Sequence, residues 1–139
     1  MNRLFLSFLA LVIITGFFYS CSPRLAADKY WSGKRYTLVE MKEVPVQQSG
    51  TRRDAYIEFL ESEKRFSGNG GCNQISGNYT LDKREIKFTD VISTKMSCPD
   101  IEFETVFLQL LSEVDRYEME NDDIVMKDGR RKLLRFRVR

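Results

Sequence analysis

The chain has 139 residues, with 22 Lys and Arg against 20 Asp and Glu, a formal charge of +2 and no histidine. That length suits a single domain, and so balanced a charge asks for neither nucleic acid nor an acidic surface as partner. Without histidine there is no His general base, no Ser-His-Asp or Cys-His pair and no His-ligated zinc site; an enzyme is not expected.

The first segment reads MNRLFLSFLALVIITGFFYSCSP. Arg3 and the amino terminus supply positive charge, and Leu4 to Tyr19 then run for 16 residues without any. Such a run falls short of the ~20 residues that cross a bilayer as a helix and suits the core of an export signal. Small Ser20 precedes Cys21. The segment resembles a bacterial lipoprotein signal, which implies cleavage after residue 20 and acylation of Cys21. An uncleaved anchor and a plain secretory signal are the alternatives. Residues 1–20 are then the signal peptide, 21–29 the lipidated terminus and tether, and 30–139 the folded domain. Several acyl chains on one cysteine hold firmly, at about 0.8 kcal/mol per buried CH₂. The expected location is the cell envelope, with a lipid anchor in the outer membrane, with which Ser22 after Cys21 is compatible.

Strands come next. YWSGKRYTLVEM mixes aromatic and β-branched residues around Trp31 and predicts a first strand. VPVQQSGTRRD, with Pro45 and Gly50, reads as a loop or edge. AYIEFLES is a strand with Ile57 and Phe59 on one face, and KRFSGNG begins another. GNYTLDKREIKF predicts a hairpin, Tyr79 and Leu81 on one arm and Ile86 and Phe88 on the other. IEFETVFLQLLSEV changes to helical spacing, with Phe103, Phe107, Leu110, Leu111 and Val114 on one stripe. DRYEMEN and DIVMKDG flank a turn, and KLLRFRVR sets Leu134, Phe136 and Val138 against a basic ladder of Arg135, Arg137 and Arg139. Seven or eight short antiparallel strands and one helix predict an α+β domain: a small curled sheet, like a cracked β-barrel, with the helix covering it.

FSGNGGCNQISGNY, residues 66–79, is the densest stretch in glycine and asparagine. It is not a Walker loop, since no lysine follows its glycines, nor a dinucleotide fingerprint, since Asn73 stands where the third glycine belongs and a strand follows. A sharp bend that presents Cys72 fits it better. With Cys21 assigned to lipid, Cys72 and Cys98 remain, either bridged or as two reduced thiols; a two-cysteine zinc site would need carboxylate ligands. No metal and no cofactor are expected.

These residues also carry a family resemblance. Gly68, Gly71, Cys72, Asn73, Gly77 and Tyr79, then Thr94, Lys95, Met96 and Cys98, then Glu104, Phe107 and Leu111 resemble the pattern of the META domain, or HslJ-like, family. The likeness covers roughly residues 29–138. It implies a fold similar to the cracked barrel of a secretin pilotin, which shelters lipid chains, and places Cys72 and Cys98 at positions that can be bridged. It brings no catalytic residue. Family members are associated with heat shock and antibiotic resistance in a bacterium and with virulence or motility in a protozoan. Lys95, the one charge inside the motif, either pairs structurally with a backbone or carboxylate group or lines a site.

Three functions compete. The first is a non-catalytic, membrane-tethered interaction or stress module with an envelope protein partner. The second is an apolar-ligand binder or pilotin-like chaperone, its aromatics lining a cavity. The third is a hydrolase built on Glu102 and Glu104, acids that equally complement a helix dipole.

Overall fold

The structure, a computed structural model, describes Trp31 and residues 33–50, 54–99 and 101–138. The signal segment, Cys21 and the tether lie outside them. Among the described residues nine strands form one sheet: β1 (Arg35–Met41), β2 (Val44–Pro45), β3 (Tyr56–Leu60), β4 (Arg65–Asn69), β5 (Gln74–Asp82), β6 (Glu85–Ser93), β7 (Arg116–Glu120), β8 (Asp123–Asp128) and β9 (Arg131–Val138). Helix α1 (Ile101–Glu113) lies between β6 and β7 in the chain. The strand order is β2-β1-β3-β4-β5-β6-β7-β8-β9, and β1 also pairs with β9, so the sheet curls into a ring. All the pairings are antiparallel. The ring is not a regular barrel: β6 and β7 share one register pair, Glu85↔Arg116. Helix α1 packs mainly on β6 and β9, with Phe107 against Phe136 at 6.2 Å between ring centroids.

The expected seven or eight strands become nine because the segment read as loop or edge contains β2. It forms a hairpin with β1 in which Met41 pairs Val44. Lys42 and Glu43, between them, both have positive φ, the backbone of a type I′ turn. Neither is Gly or Asn, so the usual sequence signal for that turn is missing.

The inside of the ring is aromatic and filled. Trp31, 2% exposed, meets Phe59 and Tyr117 edge-on at 4.8 and 4.7 Å. Phe59 continues to Tyr79 at 4.9 Å and Phe66 meets Phe88 at 5.2 Å, again edge to face. Such pairs add about 0.5–1.5 kcal/mol each to the area they bury. Tyr79 of the family motif is thus a core residue. Gly77 lies under the Phe66 ring, where a Cβ would come within 2.7 Å of it.

The basic ladder of the last strand is not simply exposed to water. Arg135 donates to Glu40 and Glu120, both at 2.8 Å, Arg137 to Asp123 at 3.1 Å, and Lys132 pairs with Glu120 at 2.9 Å. The acids come from the flanking strands β1 and β8 and from β7 beyond β8, so the ladder became a cross-strand lattice once these strands were set. Arg139 lies outside the described residues. The strict alternation also breaks: Leu133 and Leu134 are both buried, and the β8–β9 register shifts near Met126 and Lys127, as an irregularity in the ladder allows.

Candidate functional site

The glycine loop joins β4 to β5, and the close approach of its neighbours explains its composition. A Cβ on Gly68 would stand 2.0 Å from the Tyr56 carbonyl oxygen of β3, and one on Gly70 would stand 2.7 Å from the Glu104 carboxylate. Gly71 is the loop residue with positive φ, +109°, and it lies against the Phe103 ring. Its N–H donates to Asn69 Oδ1 at 2.7 Å, a side-chain turn that holds the bend.

That bend delivers Asn73 to Glu104. Both are buried, 1% and 3% exposed. The Glu104 carboxylate accepts from the Asn73 backbone N–H at 2.6 Å, the Asn73 side-chain amide at 2.9 Å, the Ser93 hydroxyl at 2.9 Å and the Cys72 backbone N–H at 3.3 Å. Asn73 Oδ1 in turn accepts from the Thr94 hydroxyl at 3.0 Å and the Met96 N–H at 2.7 Å. Burial alone would raise the Glu104 pKa. The donors, led by the Asn73 N–H, outweigh it and hold the carboxyl below its ordinary value. An acid so surrounded is an ionised acceptor that joins three segments, 69–73, 93–96 and α1.

Cys72 and Cys98 form a disulfide with their Cα atoms 6.1 Å apart. It ties the glycine loop to the segment leading into α1. Closing a 26-residue separation stabilises the fold by about 3.5 kcal/mol on the chain-entropy account, less wherever the reduced chain keeps structure. Thermal melts of Cys72→Ser/Cys98→Ser beside the oxidised protein should show a loss of about 3 kcal/mol; equal midpoints would mean that the bridge contributes nothing.

Of the motif residues, Gly68, Gly71, Gly77, Asn73, Tyr79 and Thr94 serve the fold as described. Met96 does so through its backbone, while its side chain is 62% exposed. Lys95 differs from the pairing that seemed the plainer reading: it is exposed and, among the described residues, forms no ion pair. Its neighbours on both sides, Thr94 and Met96, are held by Asn73. Lys95→Ala is therefore expected to change stability by less than about 0.5 kcal/mol; a larger loss in urea unfolding would reveal a partner. The acid pair is not brought together either. Glu104 is buried while Glu102 is exposed, as residues two apart on a helix point to different sides.

Sequence reading missed two features. One is the burial of Glu104, for which a signal exists: position 104 is three before Phe107 and seven before Leu111, on the apolar stripe itself. The other is a cleft of about 420 Å³ beside the glycine loop, with Leu38, Ala55, Gly71 and Phe103 as its apolar side and Gln48 and Asp54 among its polar residues. It lies at the Ala55 end of β3, whereas Trp31 packs at the Phe59 end. Among the described residues no cluster of three or more metal-binding side chains occurs, and no helix is long and apolar enough to cross a membrane.

A family model described as the META domain matches residues 29–139. No curated protein matches the chain. Solved structures share the fold. An NMR structure of a protein superposes with a TM-score of 0.64 at 19% identity, covering 81% of this chain and 95% of its own. One from Burkholderia xenovorans gives 0.61 at 20% identity, with 82% and 87% covered. The crystal structure of a DUF4847 family protein from Bacteroides vulgatus gives 0.59 at 13% identity, with 79% and 95% covered.

Proposed function

The chain belongs to the META domain family, and from that premise we propose that it is a non-catalytic envelope lipoprotein whose folded domain acts through contacts with another protein. The observation that carries this reading is how the motif is used. The buried Glu104 carboxylate and Asn73 amide are spent on one another and on the Ser93 and Thr94 hydroxyls, with Glu104 receiving four donors. A group held ionised in this way does not hand over a proton near neutral pH. The membrane attachment proposed here is the acylated Cys21, in the outer membrane. The tether is then residues 21–29, roughly 30 Å when extended.

The test has two parts. Intact mass of the protein from native membranes should correspond to a chain starting at acylated Cys21; retention of Met1 would remove the lipoprotein reading. Crosslinking in intact cells, followed by purification of the chain, should recover a stable envelope partner. If no partner is recovered, the interaction reading fails.

The cleft favours a second reading, binding of an apolar ligand. Its place would be that outer cleft. The inside of the ring, where a pilotin-like shelter for lipid would lie, is occupied by the Trp31, Phe59, Tyr79 and Phe88 rings.

A further inference from the structure

The ring has two ends, and Trp31 marks one of them. Its indole packs on Tyr36, Phe59 and Tyr117. Tyr36 stands near the start of β1 and Phe59 near the close of β3. The β3–β4 connection at residues 61–64, the β5–β6 turn at Lys83 and Arg84, and the β7–β8 turn at Asn121 and Asp122 share that end. The glycine loop, the disulfide, the Glu104 junction and the cleft share the other. We propose that the Trp31 end is a membrane-contacting surface, seated on the headgroups of the bilayer that holds Cys21, and that the glycine-loop end faces away. This rests on the lipoprotein reading above and leaves the far end for the partner protein to meet.

The reach of the tether carries the assignment. Trp31 is 2% exposed, so the domain end of the tether is pinned. Residues 21–29 span roughly 30 Å at full extension, but a flexible chain of that length averages about 16 Å between its ends. Strand β5 runs nine residues from the glycine loop to the β5–β6 turn. That is about 26 Å along the strand, or about 20 Å of height at the tilt of a closed sheet. To seat the glycine-loop end on the bilayer, the tether would have to climb the outside of the ring, beyond its average reach. With the Trp31 end down there is nothing to climb.

The side chains at this end suit an interface. Leu60 and Met119, beside two of its turns, are 44% and 49% exposed. Lys64, Lys83 and Arg84 are exposed as well and form no ion pair among the described residues. Long basic side chains lay their stems along an apolar boundary and keep the charge among headgroups. Glu61, Asp82, Glu85 and Asp122 stand at the same end, so net charge does not hold it there. The tether and the apolar contact do.

Every cysteine is occupied on this reading, Cys21 by lipid and Cys72 by Cys98, so one introduced cysteine gives one label. The experiment takes the acylated chain from native membranes, disulfide intact, into vesicles of phosphatidylethanolamine and phosphatidylglycerol that carry a headgroup nitroxide. A fluorophore is attached in turn to Leu60→Cys and Met119→Cys and, at the far end, to Val44→Cys and Lys95→Cys. All four positions are exposed, and thermal midpoints with intact mass check the fold and the bridge. Quenching should be at least threefold stronger at positions 60 and 119 than at 44 and 95. Equal quenching at the two ends, stronger quenching at 44 and 95, or none at any of the four overturns the proposal. If that result comes from a chain whose mass shows acylated Cys21, the orientation alone is wrong. If the mass shows Met1 retained, the lipoprotein reading fails and this inference falls with it.

Discussion

Glu104→Ala is expected to lower the free energy of unfolding by about 4 kcal/mol, read from the urea midpoint at pH 7. The substitution leaves the N–H groups of Cys72 and Asn73, the Asn73 amide and the Ser93 hydroxyl without their acceptor. A buried donor without a partner costs about 1–3 kcal/mol, and water entering the vacated space recovers part of the total. Glu104→Gln is the sharper variant, since it keeps the volume. Its side chain brings one acceptor oxygen and one NH₂ group to a place that presents donors from both sides. The expected loss is about 3 kcal/mol. If Glu104→Gln unfolds at the wild-type urea concentration, the carboxylate is not the acceptor that the geometry requires.

Acid gives an independent reading of the same group. The folded-state pKa of Glu104 lies below its ordinary value. Its contribution to stability is therefore complete above the unfolded carboxylate pKa and is lost as pH falls through the folded one. The wild type should lose stability on acidification, and Glu104→Gln should lose less over the same range. Equal slopes for the two proteins would place the acid sensitivity elsewhere, with Asp115 and Glu120, whose pKa values are also lowered, as the next groups to replace.

Trp31→Ala is the second large effect, also about 4 kcal/mol, the usual range for emptying a fully buried tryptophan site. Trp31 touches the rings of Tyr36, Phe59 and Tyr117. These come from β1, β3 and β7, so one side chain binds the start of the folded chain to three parts of the ring. Trp31→Phe should retain much of the stability, because it leaves a smaller void and keeps an aromatic contact. Tyr36 supplies a local signal. Burial, with a smaller part from Tyr79, pushes its hydroxyl pKa up to about 12. Opening the Trp31 site lets water reach it, and its ultraviolet titration should move down toward 10. An unchanged titration in a destabilised Trp31→Ala protein would show that the cavity collapses instead of filling with water.

These two residues were legible to different degrees. Trp31 stood out as the one tryptophan in a segment rich in strand formers, and a core anchor is what it proved to be. Glu104 was visible as part of the motif and as a candidate acid, yet its role was not. Its bonding partners lie 31 or 32 positions away in the loop, at Cys72 and Asn73, and 11 away at Ser93. The Arg135 and Arg137 ladder is similar: the alternation was plain, but Glu40, one of the two acids that Arg135 binds, lies 95 residues earlier in the chain. Lys95 is the converse case, a charge in a dense motif for which the fold provides no ion-pair partner among the described residues.

By itself the sequence determined which segments alternate like strands and where helical spacing takes over. Those signals are carried by residues two to four positions apart, which the backbone period alone brings to one face. The tertiary structure alone decided that the sheet closes into a ring through β1 and β9, that Glu104 is an ionised acceptor at the junction of three segments, and that a cleft opens beside the glycine loop. Each of these depends on groups that are distant along the chain, and their contacts exist only after the register of every intervening strand has been set.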